Sequence, residues 1–221
     1  MGSYFKMFLG TKYKLKMFIK NEKPIKIIGF PESSGTQEVI EVFHKEGLDD
    51  AGIIEPQHFF NLEDKSQFQY IVSSILDLSL RKTICDELDT LNLDCLTYIN
   101  DSVYVFPSAT IGKGCFIGHQ CILSWNCVVG DHCYLGMKSQ LGHDSILGKN
   151  CVLSPDAAIT GRTTIGENCK FFWRSSVLSN LHICDNVTLY AFSNITKNIT
   201  KPGTYVGTNA RLIKPKSTDS D

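Results

Sequence analysis

The sequence predicts two architectures in tandem, a small parallel α/β unit followed by a β-solenoid of six-residue strands. Two observations carry this. Reading every sixth residue gives Ile111, Ile117, Leu123, Val129, Leu135, Leu141, Leu147, Leu153, Ile159, Ile165, Phe171, Val177, Ile183, Leu189 and Ile195, apolar at each step. A period of six fits neither the 3.6 of a helix nor the 2.0 of a simple strand. It fits a solenoid in which three short strands complete a triangular coil and equivalent positions stack coil on coil. Upstream, apolar β-branched runs alternate with helix-like stretches, the pattern of a parallel sheet with crossover helices.

Residues 1–23 form a basic arm, with Lys6, Lys12, Lys14, Lys16, Lys20 and Lys23 among aromatic residues. The α/β unit is expected over 24–104. Its first strand is the run IKIIGF (25–30), followed by the turn-prone PESSG and a helix carrying Val39, Ile40, Val42 and Phe43 up to Gly47. A second strand lies at 69–76, Asp77 is placed to cap a second helix, and CLTYIN (95–100) reads as a third strand. Parallel sheets bind ligands at the carboxyl ends of their strands, so the loop with Gly29, Ser33 and Ser34 is the candidate substrate-binding element. A plain structural turn is the other reading.

The solenoid is expected over 105–200, about five coils, with a tail at 201–221 that leaves the register at Pro202 and Gly203. The residue two places before each rung is usually small, and six of the nine cysteines, Cys115, Cys121, Cys127, Cys133, Cys151 and Cys169, sit in that slot. Shared position, the odd total and the absence of Cys-x-x-Cys point to thiols packed as small hydrophobes, in place of disulfides or metal. A net charge of −1 on 221 residues disfavours a nucleic-acid binder, and no apolar run reaches the ~18 residues of a membrane helix. The chain is expected to be cytoplasmic, with no nucleic-acid partner and no membrane insertion.

Among the histidines, His44 and His58 are expected on the surface, and His143 stands out because Asp144 follows it at a coil corner. A histidine oriented by a carboxylate is the arrangement a general base needs near neutral pH, and an exposed corner pair without a role is the alternative. Trp125 and Gly161 occupy the same column one coil to either side, and Gly161 is expected to leave space beside the imidazole. A zinc site would need His119, His132 and His143 to converge, and their spacing puts them at different corners or faces. A solenoid assembly module without catalysis is a further reading.

The α/β unit, the segment LGHDSILGKNCVLSPDAAITGRTTIGENC and the closing YVGTNARLI together resemble the bacterial enzymes that acetylate 4-amino-4,6-dideoxy nucleotide sugars, and the related sialic acid O-acetyltransferases. The resemblance spans residues 24–214 and is strongest over 139–169. It implies a Rossmann-like nucleotide-sugar subdomain and a left-handed parallel β-helix, assembled as a homotrimer with acetyl-CoA in the groove between subunits. It implies His143 as general base, Asp144 as its carboxylate, and Val152, Gly161 and Trp173 along the CoA arm. The implied reaction is N-acetylation of a nucleotide-linked amino sugar, with O-acetylation of a sugar as the nearest variant. The sequence departs from the family in three places. The usual Gly-Ala-Gly-Gly-His loop reads Gly-Phe-Pro-Glu-Ser-Ser-Gly, Phe172, Trp173 and Arg174 replace smaller residues, and Gly-Thr-Asn-Ala replaces Gly-Val-Pro-Ala near the end.

Overall fold

Strand β1 (Ile25–Ile28) lies at the centre of a three-stranded parallel sheet, between β2 (Gly52–Ile54) and β3 (Gln69–Val72). The structure, a computed structural model, describes residues 23–49 and 51–215. Of the basic arm only Lys23 falls within them, paired with Asp94 at 2.6 Å. Alternate residues of the sheet face opposite ways. Ile27 and Ile71 pack with Val39 and Phe43 of α1 (Ser34–Lys45), whereas Ile28 and Val72 pack with Ile84 and Leu88 of α3 (Leu78–Thr90). Asp77 caps α3 by accepting from the backbone N–H of Ser79 at 2.8 Å and Leu80 at 3.1 Å. Strand β2 and helix α2 (Pro56–Phe60) are too short to leave a periodic signature, and Pro56 at the first helical position is their one sequence mark.

The run 95–100 does not complete this sheet. Cys95 makes a single parallel bridge to Tyr70, and β4 (Tyr98–Ile99) instead pairs with Phe116–Ile117 and opens the solenoid. Tyr104–Val105 follows by pairing with Ile122–Leu123, so the coils begin ahead of the first expected rung. From there each strand pairs in parallel with the one eighteen residues on, as in Leu135 with Leu153, Leu141 with Ile159 and Leu147 with Ile165. Three sheets result, forming a left-handed parallel solenoid whose rung residues from Ile117 to Ile195 are all buried. Beyond Pro202 the pairing step is sixteen residues instead of eighteen. Gly203–Val206 adds to one sheet beside Val187–Leu189 before Arg211–Pro215 folds back antiparallel.

Each coil turns through corners of four residues, and the third corner residue adopts left-handed backbone, as at Asn126 (φ 55°), Asp144 (φ 56°) and Asn168 (φ 57°). Asn and Asp tolerate that conformation best, which explains their recurrence there. The slot cysteines are free and buried. Cys115, Cys133 and Cys151 donate to the carbonyls of Gly130, Gly148 and Gly166, each at 3.2 Å, tying coil to coil.

The α/β unit covers one sheet and one corner of the triangular solenoid. Outward-facing Tyr98, Phe116 and Tyr134 stack on one another at 5.3 and 5.0 Å and are covered, with Val152, by Phe43 of α1. Fully buried Arg81 of α3 donates to the carbonyls of Val72 and Ser73 and to the Asn150 side chain at the adjoining corner. Asp89 of α3 holds Lys113 at 2.7 Å and His132 at 3.0 Å. The corner opposite the covered sheet is left bare, and His143 sits on it. Among the described residues no helix is long and apolar enough to cross a membrane.

Candidate active site

Residues 142–145 form this bare corner, between the strands Gln140–Leu141 and Ile146–Leu147. Left-handed Asp144 directs its carboxylate back to the preceding ring, and Oδ2 lies 2.9 Å from His143 Nδ1. The other oxygen, Oδ1, accepts from Asn126 Nδ2 at 3.2 Å, one coil away. The hydrogen bond with His143, then that with Asn126, hold the Asp144 carboxyl below the usual carboxylate range. Ionised Asp144 only accepts, so Nδ1 carries the hydrogen, and in the neutral ring Nε2 is left with the lone pair. The His143 side chain is 37% exposed, and Nε2 has no hydrogen-bond partner among the described residues.

The imidazole is confined on both faces. Trp125 lies parallel to it, 8° between planes and 5.2 Å between centroids. On the other face is Gly161, where an added Cβ would stand 2.5 Å from Nε2 and 2.7 Å from Cε1. Gly161 therefore does not leave open space beside the ring. The ring occupies the space that glycine provides. The Gly161 N–H makes no hydrogen bond among the described residues, and the next amide, Arg162 N, donates to the His143 carbonyl at 2.7 Å. A neutral imidazole backed by a carboxylate is chemically able to take a proton, and a backbone amide without a partner is able to donate to an oxygen that gains charge.

The other expected site residues are scattered. Val152 does not line a groove, being 1% exposed beneath α1 on the covered sheet. Trp173 is exposed at the corner 172–175, across the width of the Gln140–Leu141 sheet from His143. Its ring meets Phe192 edge-on at 4.8 Å, and the Arg174 guanidinium lies 4.8 Å above it. Gly29, Ser33 and Ser34 follow β1, where a Cβ on Gly29 would come within 2.2 Å of Ser73 Oγ, so this glycine serves close packing of the β1 and β3 loops. Ser33 precedes α1 without a side-chain cap, and Ser34 is exposed. Within one chain this loop lies with the covered sheet, away from the His143 corner.

His119, His132 and His143 occupy three different corners, and no group of three or more His, Cys, Asp or Glu among the described residues is arranged to hold a metal. His44 and His58 are exposed. Sequence reasoning assigned no part to Asn126, nor any contact to Trp125. The signal was present, since both stand one eighteen-residue step before the pair they touch.

Residues 126–161, which include the His143 corner, match the family model for the bacterial transferase hexapeptide (six repeats). The solenoid is a hexapeptide-repeat fold. A curated UDP-3-O-acylglucosamine N-acyltransferase of Bordetella avium is 43% identical over 49 residues, which are 22% of this chain. The matched stretch spans only 14% of that relative's length. Solved structures match far more of the chain at lower identity. PerB of Caulobacter crescentus, solved with CoA and GDP-perosamine, superimposes with a TM-score of 0.74 at 18% identity, covering 87% of this chain and 98% of that one. The acetyltransferase domain of PglB from Neisseria gonorrhoeae gives 0.76 at 20% identity over 87% and 100%, and WeeI of Acinetobacter baumannii gives 0.72 at 16% over 86% and 99%. The likeness covers the α/β unit and the solenoid together.

Proposed function

We propose that the protein is an acetyl-CoA-dependent N-acetyltransferase acting on the amino group of a nucleotide-linked 4-amino-4,6-dideoxy sugar. The observation that carries this is the His143–Asp144 pair, with its bare Nε2 beside an unpaired Gly161 N–H at an exposed solenoid corner. It is supported by a fold shared over 87% of this chain with a perosamine N-acetyltransferase solved with CoA and a nucleotide sugar, histidine variants of which were crystallised with the same ligands.

The chemistry follows from the geometry. Acetyl-CoA brings an activated carbonyl, and the amine attacks it as the free base. His143 Nε2 takes the proton that the nitrogen sheds, and Asp144 favours the imidazolium so formed. The Gly161 N–H donates to the oxyanion of the tetrahedral intermediate. Collapse breaks the C–S bond, the thiolate leaves, and the imidazolium returns its proton to sulfur. The ring of Trp173 and the charge of Arg174 suit the nucleotide end of CoA.

The two halves of this site lie on opposite sides of one chain, the β1 loop with the covered sheet and His143 at the bare corner. Exposed Ile122, Trp125, Ile146 and Leu178 flank that corner and suit burial against another copy. A cytoplasmic homotrimer, in which the loop of one copy faces His143 of the next, brings the halves together. Incubating the protein with acetyl-CoA and a panel of GDP-, UDP- and dTDP-linked amino sugars tests the reading. Free CoA should appear with at least one sugar and fall to near background in His143→Ala. Release unchanged in that variant overturns the base, and no release with any amino sugar overturns the activity.

A further inference from the structure

We infer that Trp125 is a positioning residue for His143, one that fixes the plane of the imidazole and so the direction of the Nε2 lone pair. The inference rests on the acetyl-transfer reading for its consequence, but its physical content is separate. Asp144 alone leaves the ring a degree of freedom. A hydrogen bond to Nδ1 fixes one edge, and rotation about that edge still swings Nε2 through an arc. Trp125 removes this freedom, because its indole lies parallel to the ring at 8° and 5.2 Å while Gly161 closes the opposite face.

The neighbouring residue acts on the carboxylate in the same way. Asn126 donates to Asp144 Oδ1, leaving Oδ2 for Nδ1, and its own backbone N–H is held by Ser108 Oγ at 2.9 Å. Asp144 N in turn donates to the Trp125 carbonyl at 3.0 Å, so the two coils are locked where the dipeptides meet. Trp125 and Asn126 thus form a plate on which His143 and Asp144 rest. Such support matters because small misplacement of a reacting group is costly to rate.

The test uses the full chain with Trp125→Leu and Trp125→Phe. Leucine fills part of the volume without a flat face, and phenylalanine restores a ring. With a sugar that supports turnover, Trp125→Leu should lose about tenfold in kcat with the KM for acetyl-CoA unchanged, and Trp125→Phe should stay within about threefold of wild type. An unaltered kcat in the leucine variant, or a loss confined to KM, overturns the inference. A second readout needs no turnover. In histidine-labelled protein, with the His143 signals assigned by their loss in His143→Asn, the wild type should show one fixed Nδ1-protonated ring. The leucine variant should show exchange between ring orientations. Identical ring signals in both proteins overturn the inference even where no acceptor is turned over, and a change in them upholds it even where the acetyl-transfer reading fails.

Discussion

Replacing Gly161 by alanine probes how tightly the imidazole is held. The added Cβ would stand 2.5 Å from Nε2, 2.7 Å from Cε1 and 2.8 Å from Cδ2. Comfortable contact between such atoms begins near 3.5 Å, so the ring must retreat by about 1 Å. Trp125 blocks retreat along the stacking direction, and the bond to Asp144 resists a sideways slide. A displacement of this size in a reacting group costs about a hundredfold in rate, even where the fold is intact. The backbone itself should accept alanine, since Gly161 is not among the glycines with positive φ. The overpacking term is then about 1 kcal/mol, a fall in Tm of about 2–4 °C for a chain of this size. Initial rates of CoA release at saturating acetyl-CoA, paired with thermal unfolding, separate the two effects. Turnover within about threefold of wild type would show that the ring has slack and that the sandwich does not hold it.

Other substitutions test other parts of the structure. Asp144→Asn keeps a residue suited to left-handed backbone but withdraws the charge that favours the imidazolium, so kcat should fall by about 10²–10⁴ with Tm nearly unchanged. Leu153→Asp places a carboxylate at a fully buried rung, where the cost of several kcal/mol rivals a domain's whole stability, so the β-sheet circular dichroism should melt far below wild type or never form. Asp89 is held well below the ordinary carboxylate range, first by its hydrogen bond with His132 and then by Lys113. A depressed carboxylate stabilises the fold above its unfolded value near 4 and loses that contribution as pH falls. Asp89→Asn should therefore lower the urea midpoint at pH 7 and flatten its decline on acidification, and parallel declines in the two proteins would refute the assignment.

The solenoid was legible because its packing is one-dimensional. Positions eighteen apart share one environment, so the buried columns read directly from the sequence, and the six slot cysteines read as packing for the same reason. The His143–Asp144 pair was legible as adjacent residues at a corner. Docking of the α/β unit was not, because it depends on side chains facing away from the coil core. A trace of it exists in the outward column Tyr98, Phe116, Tyr134 and Val152, aromatic or aliphatic for four steps before Lys170, whereas another outward column runs Ile122, Gln140, Ala158 and Ser176. Strand β2 and helix α2 left no periodic trace, because three and five residues are too few to establish a period, and Pro56 alone marks the helix start. That position 161 must lack a side chain beside His143 was legible from the eighteen-residue step, whereas the ring's occupation of that space was not.

The separation of the β1 loop from His143 leads to a last prediction. If each site takes its histidine from one copy and its loop from the next, two inactive variants should complement one another. Ser34→Trp places bulk on the exposed first residue of α1, next to the β1 loop and off the solenoid, and His143→Ala removes the base without touching the loop. Each homo-oligomer should be inactive. After unfolding together and refolding at equal concentrations, a site is competent when its histidine comes from a Ser34→Trp chain and its loop from a His143→Ala chain. Random assembly gives that pairing in about a quarter of the sites of a cyclic oligomer, so about a quarter of wild-type turnover should return. A site built within one chain would recover nothing, because every chain would carry one of the two lesions. Full activity in Ser34→Trp alone would remove the loop from the site altogether.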